Sequence, residues 1–435
     1  MTLRKRLYLD NAATSFPKPT EVGLAMRRYM EELGASPGRG AYKEAIEAGR
    51  LLRQCRERLC MLFNGESANH VVFTLHTTDA LNLAIHGLVH HHQRRGEKIH
   101  LITTMMDHNS ILRPFNALES EGVSVTRVEC DPQSGLVDPE DIRAAMRAET
   151  RMVAVIHGSN VTGTIQPVEE IGEITRERGV VFLVDGAQTL GHLPIDVRAM
   201  KIDLLAFPGH KGLLGPLGTG GLYIRPGLEE RIDCVRQGGT GTRSELDVQP
   251  MTMPDKYEPG SHNAPGIIGL SEGVKWILDR TVEKLWEHER KLMEVFLEGL
   301  AELPSVRLLG PRSAEARCGV FSITMDGLQP EELAAVLEDQ YGILVRAGLH
   351  CAPLAHITVS GGENGDGSGA ADKRGGGAAR ISFGPFVTET DVRYVLDSLG
   401  QIAQQLGSHG GGNVNEVAAG VDGAKDKRKA GARTK

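Results

Sequence analysis

The sequence predicts an α/β fold in which a mainly parallel sheet lies between helices. Met152 to His157 is typical of a buried strand, Pro167 to Arg178 of a helix, and Val180 to Val184 of a second buried strand. Proline at the first turn of the helix and Gly179 after its last residue mark the helix ends. A strand, a helix and a strand in this order predict parallel pairing, with ligands bound at the carboxyl ends of the strands.

Further elements of the same kind surround this unit. Val71 to Thr74 is expected to form a strand, followed by a helix from Asp79 to His92. Two more strands are expected, at Asp203 to Phe207 and at Gly221 to Ile224. We therefore expect a large sheet with helices on both faces.

A smaller C-terminal α/β domain is predicted from about residue 281. Apolar residues recur at helical spacing from Val282 to Leu300. The elements expected after this helix are strand Phe321 to Thr324, helix Pro330 to Gln340, strand Ile343 to Arg346, strand Ala379 to Phe383 and helix Thr388 to Leu406. The predicted organisation is an N-terminal arm (1–20), a large domain (21–280), a small domain (281–406) with a glycine-rich insertion (361–377), and a disordered basic tail (407–435).

Composition and charge argue against several classes of function. The 435 residues carry a formal net charge of -7 and only 4% aromatic residues, which disfavours a nucleic-acid partner. No apolar run approaches the roughly 18 residues of a membrane span. The six cysteines include no CxxC pair, so we expect no metal site, no disulfide framework, reduced thiols and a cytoplasmic location.

Asp185 begins the first of three polar clusters at predicted strand ends. It directly follows the apolar strand Val180 to Val184 and is followed by Gly186, Ala187 and Gln188. A carboxylate that leaves a dry sheet at its ligand-binding edge needs a positive partner to stay charged. The alternative is a helix N-cap, for which aspartate is favoured, and the residues alone do not decide between the two.

Lys211 belongs to the second cluster, the glycine-dense segment Phe207 to Gly212. A lysine in such a loop can hold a phosphate, but the Walker A order is absent, because Gly212 rather than serine or threonine follows the lysine. A partly desolvated lysine can instead act as a nucleophile and form a Schiff base with an aldehyde. A surface lysine without a chemical role is the third alternative.

Cys351 stands in the third cluster, a loop from Ala347 to Pro353 that follows a predicted strand. Cysteine is most often a buried small hydrophobic residue. This one is instead next to His350 in a loop, and exposure with a neighbouring histidine favours a thiolate. The other five cysteines show no such setting, so we expect them to be structural.

Together these residues resemble the cysteine desulfurase family of the class V aminotransferase fold, whose members are pyridoxal-phosphate enzymes of fold type I. The resemblance runs from the segment Tyr8 to Thr14 to about Leu406, apart from residues 361–377. Its most specific part is the segment Asp185 to Gln188 followed by Gly209 to Lys211, at the spacing that the family uses.

The resemblance implies a set of contacts to pyridoxal 5'-phosphate. Lys211 is expected to form the Schiff base with the cofactor, and Asp185 to keep its pyridine nitrogen protonated. His108 is expected to stack on the ring and to move protons. The other implied contacts are Asn160 and Gln188 on the ring-hydroxyl side, Thr77, Thr78 and His210 at the phosphate, and Ser261 from the partner subunit of a homodimer.

The resemblance also implies L-cysteine as the substrate. Arg380 matches the arginine that binds the substrate carboxylate, which arginine can do through two parallel hydrogen bonds, with Arg346 and Asn160 close to the same site. Cys351 matches the nucleophile that takes the sulfur and releases alanine. The resulting persulfide is then expected to pass to an acceptor, with a sulfur-acceptor protein as one candidate partner.

Two features depart from the family pattern. Pro208 stands where the family usually has serine or threonine, so a hydroxyl and a backbone N–H are missing at the phosphate, and we expect weaker cofactor binding. The 361–377 segment lies between Cys351 and Arg380. We therefore expect a loosely tethered nucleophile loop and a surface excursion that leaves Arg380 in place.

Other functions remain open at this point. Within the same fold, a selenocysteine lyase uses much the same residues, and another class V aminotransferase or lyase has no need of Cys351. A non-catalytic protein that binds a phosphate-bearing ligand is a rival of a different class. Such a binding module, however, has no reason to place Asp185, His108 and Lys211 around one ring.

Overall fold

The computed structural model describes residues 6–38, 40–243, 245, 247–360 and 376–408. Nearly all of the predicted basic tail (407–435) and of the glycine-rich insertion (361–377) lies outside the described residues. The helices are α1 (Thr20–Arg28), α2 (Lys43–Leu62), α3 (Thr77–Gln93), α4 (Asn109–Ser120), α5 (Pro139–Ala145), α6 (Val168–Arg178), α7 (Ala264–Arg280), α8 (Val282–Ala301), α9 (Pro330–Tyr341), α10 (Pro353–Val359) and α11 (Glu389–Ser408).

The strands divide into a large sheet, a small sheet and a short N-terminal pair. They are β1 (Leu7–Tyr8), β2 (Val71–Thr74), β3 (His100–Thr104), β4 (Ser124–Val128), β5 (Thr150–Ile156), β6 (Val181–Asp185), β7 (Leu204–Pro208), β8 (Gly220–Ile224), β9 (Val306–Leu308), β10 (Val320–Met325), β11 (Ile343–Leu344), β12 (Arg346–Gly348) and β13 (Ala378–Ser382). Among the described residues, no helix is long and apolar enough to cross a membrane.

The large sheet has seven strands in the order β2-β8-β7-β6-β5-β3-β4. The five strands from β7 to β4 are parallel, whereas β8 runs antiparallel to both β7 and β2. The predicted parallel pair is present as β5 and β6, joined by α6. This sheet confirms the predicted fold class.

Helices cover both faces of the large sheet, which explains its continuous apolar strands. Successive residues of β6 pack into two different cores: Phe182 and Val184 on one face, and Val181 and Leu183 on the other. All five residues of β6 are buried. A strand buried on both faces has no polar alternation, as its sequence predicts.

The small sheet is antiparallel, with the order β12-β13-β10-β9. Its core contains Phe296 of α8, Phe321 of β10 and Phe383, whose ring centroids lie 4.7 to 5.5 Å apart. Residues of α9 and α11 complete this core. The domain limits predicted from the sequence stay a prediction.

The predicted strand Ile343 to Arg346 is wrong as a single element. The structure has two short strands here, because the chain changes its partner: β11 pairs with β1, and β12 pairs with β13. The pairing of β1 with β11 brings the N-terminal segment against the small sheet, where Leu9 is fully buried.

Candidate active site

A cavity of about 110 Å³ lies at the carboxyl ends of three parallel strands of the large sheet. The last residues of β5, β6 and β7, which are Ile156, Asp185 and Pro208, all line it. It is also lined by eight residues that the sequence predicted to be functional: Thr77, Thr78, His108, Asn160, Asp185, Gln188, His210 and Lys211. The cavity is therefore located where parallel sheets bind ligands.

Asp185 and Lys211 place opposite charges in this buried cavity. Burial raises the pKa of Asp185 to about 6, and the nearby Lys211 opposes that shift. Burial lowers the pKa of Lys211 to about 8, and Asp185 opposes that shift in turn. Asp185 Oδ1 accepts the N–H of Ala187 at 2.9 Å, but a turn rather than a helix follows, so Asp185 is not a helix N-cap.

His108 caps the start of α4 and is held in one tautomer. Its Nδ1 accepts the N–H of Ser110 at 3.1 Å, which leaves the proton of the neutral ring on Nε2. Burial, with a contribution from Lys211, lowers the pKa of His108 to about 3. The hydroxyl of Ser110 lies 2.7 Å from that of Thr78, which ties α4 to the first turn of α3.

Asp107 links two strands of the large sheet next to the cavity, a role that the sequence analysis did not predict. Its carboxylate is fully buried and accepts hydrogen bonds from Thr103 Oγ1 (2.7 Å), Thr104 N (2.7 Å), Thr104 Oγ1 (2.9 Å) and Ile156 N (2.6 Å). Burial raises its pKa to about 6. These contacts join the ends of β3 and β5 next to His108.

The N-terminal segment holds the backbone of the Lys211 loop. Thr14 Oγ1 and Lys18 Nζ donate to the carbonyl of His210 at 3.0 and 2.8 Å, and Ser15 Oγ donates to that of Lys211 at 2.9 Å. Burial lowers the pKa of Lys18 to about 8. The sequence prediction treated this segment only as an arm and missed these contacts, because they depend on tertiary structure.

Arg380 lies on β13, almost fully buried beside the cavity. Its Nη2 donates to Asp10 Oδ1 at 2.7 Å and its Nη1 to the carbonyl of Asn160 at 3.2 Å. Its Nε has no partner among the described residues. Arg346 of β12 lies directly opposite Arg380 in the sheet.

Cys351 presents an exposed thiol at the edge of this arrangement. Arg346 Nη2 lies 3.7 Å from the Sγ atom of Cys351. The carbonyl of Cys351 accepts the N–H of Asn109, the residue after His108, at 2.9 Å. The expectation of a loosely tethered nucleophile loop is wrong for the described residues. These contacts hold the loop, and helix α10 lies in sequence between Cys351 and the 361–377 segment.

The other five cysteines are less accessible than Cys351. Cys55 and Cys318 are buried, whereas Cys60, Cys130 and Cys234 are partly buried. Burial raises the pKa of all five thiols. These surroundings agree with the structural role expected for them.

Ser261 lies outside the cavity of its own chain. It lines a separate surface pocket with Leu75, Asp79, Gly218 and Asn263, among others. The structure thus brings eight of the predicted residues together, puts Arg346, Arg380 and Cys351 beside them, and leaves Ser261 apart.

Comparison with known proteins assigns the chain to a family. The model of the family described as aminotransferase class-V matches residues 7–395. A probable cysteine desulfurase of Methanothermobacter thermautotrophicus is 33% identical over 406 residues, which are 92% of this chain and 96% of the relative. The chain belongs to the cysteine desulfurase family of class V aminotransferases. The cysteine desulfurase IscS of Clostridium botulinum is 32% identical over 93% of this chain and 96% of its own length.

Solved structures of this family share the fold. The apo structure of cysteine desulfurase from Thermococcus onnurineus NA1 matches with a TM-score of 0.84 and 31% identity, covering 92% of this chain and 95% of that one. The cysteine desulfurase CsdA from Escherichia coli matches with a TM-score of 0.79 and 26% identity over the same shares of the two chains.

The cavity residues fit the cofactor of this family, pyridoxal 5'-phosphate. Two buried polar atoms, Asn160 Oδ1 and His210 Nδ1, lack a partner among the described residues. Helix α3 begins at the cavity with Thr77 and Thr78, and the first N–H groups of a helix favour an anion. A partly buried amine, a buried carboxylate and a helix N-terminus are the groups that an aldehyde, a pyridine nitrogen and a phosphate require.

We predict that Asp107→Asn destabilises the protein by about 1 to 3 kcal/mol. An asparagine amide turns an N–H toward Thr104 N or Ile156 N, so a buried donor loses its acceptor. Urea unfolding monitored by circular dichroism measures the change. The matched control is Asp131→Asn on an exposed turn, for which we expect less than about 0.5 kcal/mol. Equal effects of the two substitutions would show that the Asp107 contacts have no special importance.

Proposed function

We propose that the protein is a cysteine desulfurase that removes sulfur from L-cysteine, releases L-alanine and keeps the sulfur as a persulfide on Cys351. The observation that carries the proposal is the combination of a partly buried Lys211 near Asp185 with an exposed thiol at Cys351. Other enzymes of this fold need the first two groups but not the third. The relatives named cysteine desulfurase support the same assignment.

Pyridoxal phosphate, when bound, supplies an electron sink for the substrate carbon atoms. Lys211 Nζ binds its aldehyde, and the Asp185 carboxylate holds the proton on the pyridine nitrogen. The unpartnered Asn160 Oδ1 and the amide of Gln188 suit the ring hydroxyl, and the start of α3 suits the phosphate. Pro208 offers no N–H, so helix α3 and His210 have to supply the phosphate contacts.

Arg380 is the group that binds the substrate carboxylate. Asp10 holds its guanidinium through Nη2, while Nε has no partner among the described residues. A carboxylate that docks at this guanidinium meets a donor that is already oriented and buried. Neutral His108, with its proton on Nε2 and with Nδ1 accepting from Ser110, can donate a hydrogen bond from Nε2 to the bound substrate.

Cys351 takes the sulfur atom. Its thiolate Sγ attacks the sulfur of the bound substrate, an S–S bond forms and the C–S bond breaks. The electron pair of the broken bond stays on carbon, and protonation of that carbon gives the methyl group of alanine. The guanidinium of Arg346, 3.7 Å from Sγ, lies beside the sulfur atom that makes this attack.

We also propose that the protein is a cytoplasmic homodimer in which Ser261 completes the phosphate site of the partner. Ser261 lies outside the cavity of its own chain, in a pocket that Leu75 also lines. Leu75 and Leu217, which precedes Gly218 of this pocket, are 52% and 68% exposed, as expected for a surface that a second copy covers.

The pH dependence of cofactor binding is expected to report the lowered pKa of Lys211. Only an unprotonated amine attacks an aldehyde, so the rate of covalent loading of the apoprotein should increase about tenfold per pH unit and level off above about pH 8. Borohydride trapping followed by mass spectrometry measures the rate. Lys211→Ala should give no trapped adduct, whereas Lys18→Ala should still give it. A rate that keeps increasing to about pH 10 would contradict the assignment.

Cys351→Ser should keep the cofactor absorption band but reduce alanine release from L-cysteine by about 100-fold or more, because a hydroxyl is a far weaker nucleophile than a thiolate. Alanine release with a thiol acceptor and persulfide labelling measure the effect. Cys60→Ser, at a partly buried thiol elsewhere, is the matched control. Unchanged alanine and sulfide output would favour a lyase that does not use Cys351, and L-selenocysteine in the same assay tests the selenocysteine lyase alternative.

The cofactor-loaded protein should elute as a dimer in size-exclusion chromatography with light scattering. Ser261→Ala should leave the dimer intact and weaken cofactor binding by about ten- to 100-fold, because a single hydrogen bond to the charged phosphate is lost. Mixing this variant with Lys211→Ala then restores one complete site per mixed dimer. A fully active monomer would rule out the proposed role of Ser261.

A further inference from the structure

The turn that carries Cys351 has a conformation that needs support. His350 and Cys351 have φ angles of 52° and 59°, so two consecutive residues with a Cβ occupy the left-handed region. That region is costly for residues other than glycine and persists only where the surroundings hold it. Because Cys351 is exposed, the support has to come from elsewhere.

The two carbonyl groups of the turn are held by elements of the cavity. Asn160 Nδ2 donates to the carbonyl of His350 at 2.7 Å, and Asn109 N donates to that of Cys351 at 2.9 Å. Both donors are close to the cofactor site, since Asn160 lines the cavity and Asn109 follows His108. The backbone of the turn is thus fixed on the side that faces the large sheet.

The side chain of His350 is held by His356 on α10. Both rings are buried and stacked, with centroids 5.4 Å apart and planes inclined by 29°, and His350 Nδ1 lies 3.3 Å from His356 Nε2. Burial lowers the pKa of both histidines, so both rings are neutral near pH 7.

The carbonyl of Arg346 decides which histidine donates. It lies 3.4 Å from His350 Nε2, and because a carbonyl only accepts, Nε2 carries the proton of His350. His350 Nδ1 is then an acceptor, and His356 Nε2 has to be the donor. The direction of this hydrogen bond is therefore settled by the chain itself.

We infer that His356 is a positioning residue of the nucleophile: its Nε2–H holds the ring of His350 and so keeps the turn at Cys351 in the left-handed conformation. This inference rests on the proposed function for the role of Cys351, but the contact itself does not depend on catalysis. His356 does not line the cofactor cavity, so it acts only through His350.

Two amide substitutions test the donor atom. In His356→Gln the side-chain amide nitrogen takes the place of Nε2, whereas in His356→Asn it takes the place of Nδ1 and is directed away from His350. Thr358→Ala, which removes a hydroxyl that bonds only within α10, is the control for general weakening of that helix. All three proteins are studied in the cofactor-loaded form.

Hydrogen exchange of the Ala352 amide measures the stability of the turn, because Ala352 N donates to the carbonyl of Leu349 across the turn at 3.0 Å. We expect exchange of this amide to be about tenfold faster in His356→Asn and within about twofold of the wild type in His356→Gln and Thr358→Ala. In His356→Asn, kcat for alanine release should decrease about tenfold with little change in KM or in the cofactor spectrum.

The exchange and kinetic results can overturn the inference separately from the proposed function. Equal behaviour of the glutamine and asparagine variants, or unchanged exchange in His356→Asn, would overturn it, because the position of the donor atom would then not matter. If the wild type releases no alanine, the proposed function fails, while the exchange comparison still tests the role of His356.

Discussion

The opposite charges of the partly buried Lys211 and the buried Asp185, which line one cavity, are the constraint around which the site is arranged. Burial shifts both groups toward their neutral forms, with a pKa of about 8 for the lysine and about 6 for the aspartate. The charge of each group opposes the pKa shift of the other and so favours its charged form. Such a pair is costly unless a ligand satisfies it. A ligand with an aldehyde and a basic ring nitrogen satisfies both groups at once, which links the electrostatics of this cavity to one kind of cofactor.

The fold puts these charges together because parallel strands end at one edge. Asp185 ends β6, and Lys211 follows β7, the next strand of the sheet. The N-terminal segment then connects this edge to the small sheet: Ser15 holds the carbonyl of Lys211, while Asp10 holds Arg380 on β13. A displacement of the small sheet would therefore act on both Arg380 and Lys211, the residues proposed to bind the substrate carboxylate and the cofactor.

The apolar runs of the sequence were enough to predict β6, α6 and the fold class, because burial on both faces removes polar residues from a strand. A strand end and a glycine-rich segment singled out Asp185 and Lys211 as candidates, but their proposed roles came from the resemblance to the family, because the residues alone left a helix N-cap and a surface lysine open. Asp107 was not, since its role in joining two strands depends on the N–H of Ile156, 49 residues away, in addition to three local donors on Thr103 and Thr104. The split of the strand at residues 343–348 was missed for a similar reason: two different partner strands decide it, and local propensity contains no information about either.

The balance of charge explains why this site suits ligands with two anionic groups. Arg346 and Arg380 each lower the pKa of Lys211, and Arg346 also lowers that of Arg380, so the three positive groups repel one another. Asp185 and Asp10 offset this repulsion only in part. A phosphate at the start of α3 and a carboxylate at Arg380 add the missing negative charge on two sides of Lys211. Burial, followed by Lys211 and the nearby arginines, lowers the pKa of His108 to about 3, so this histidine stays neutral beside the positive groups.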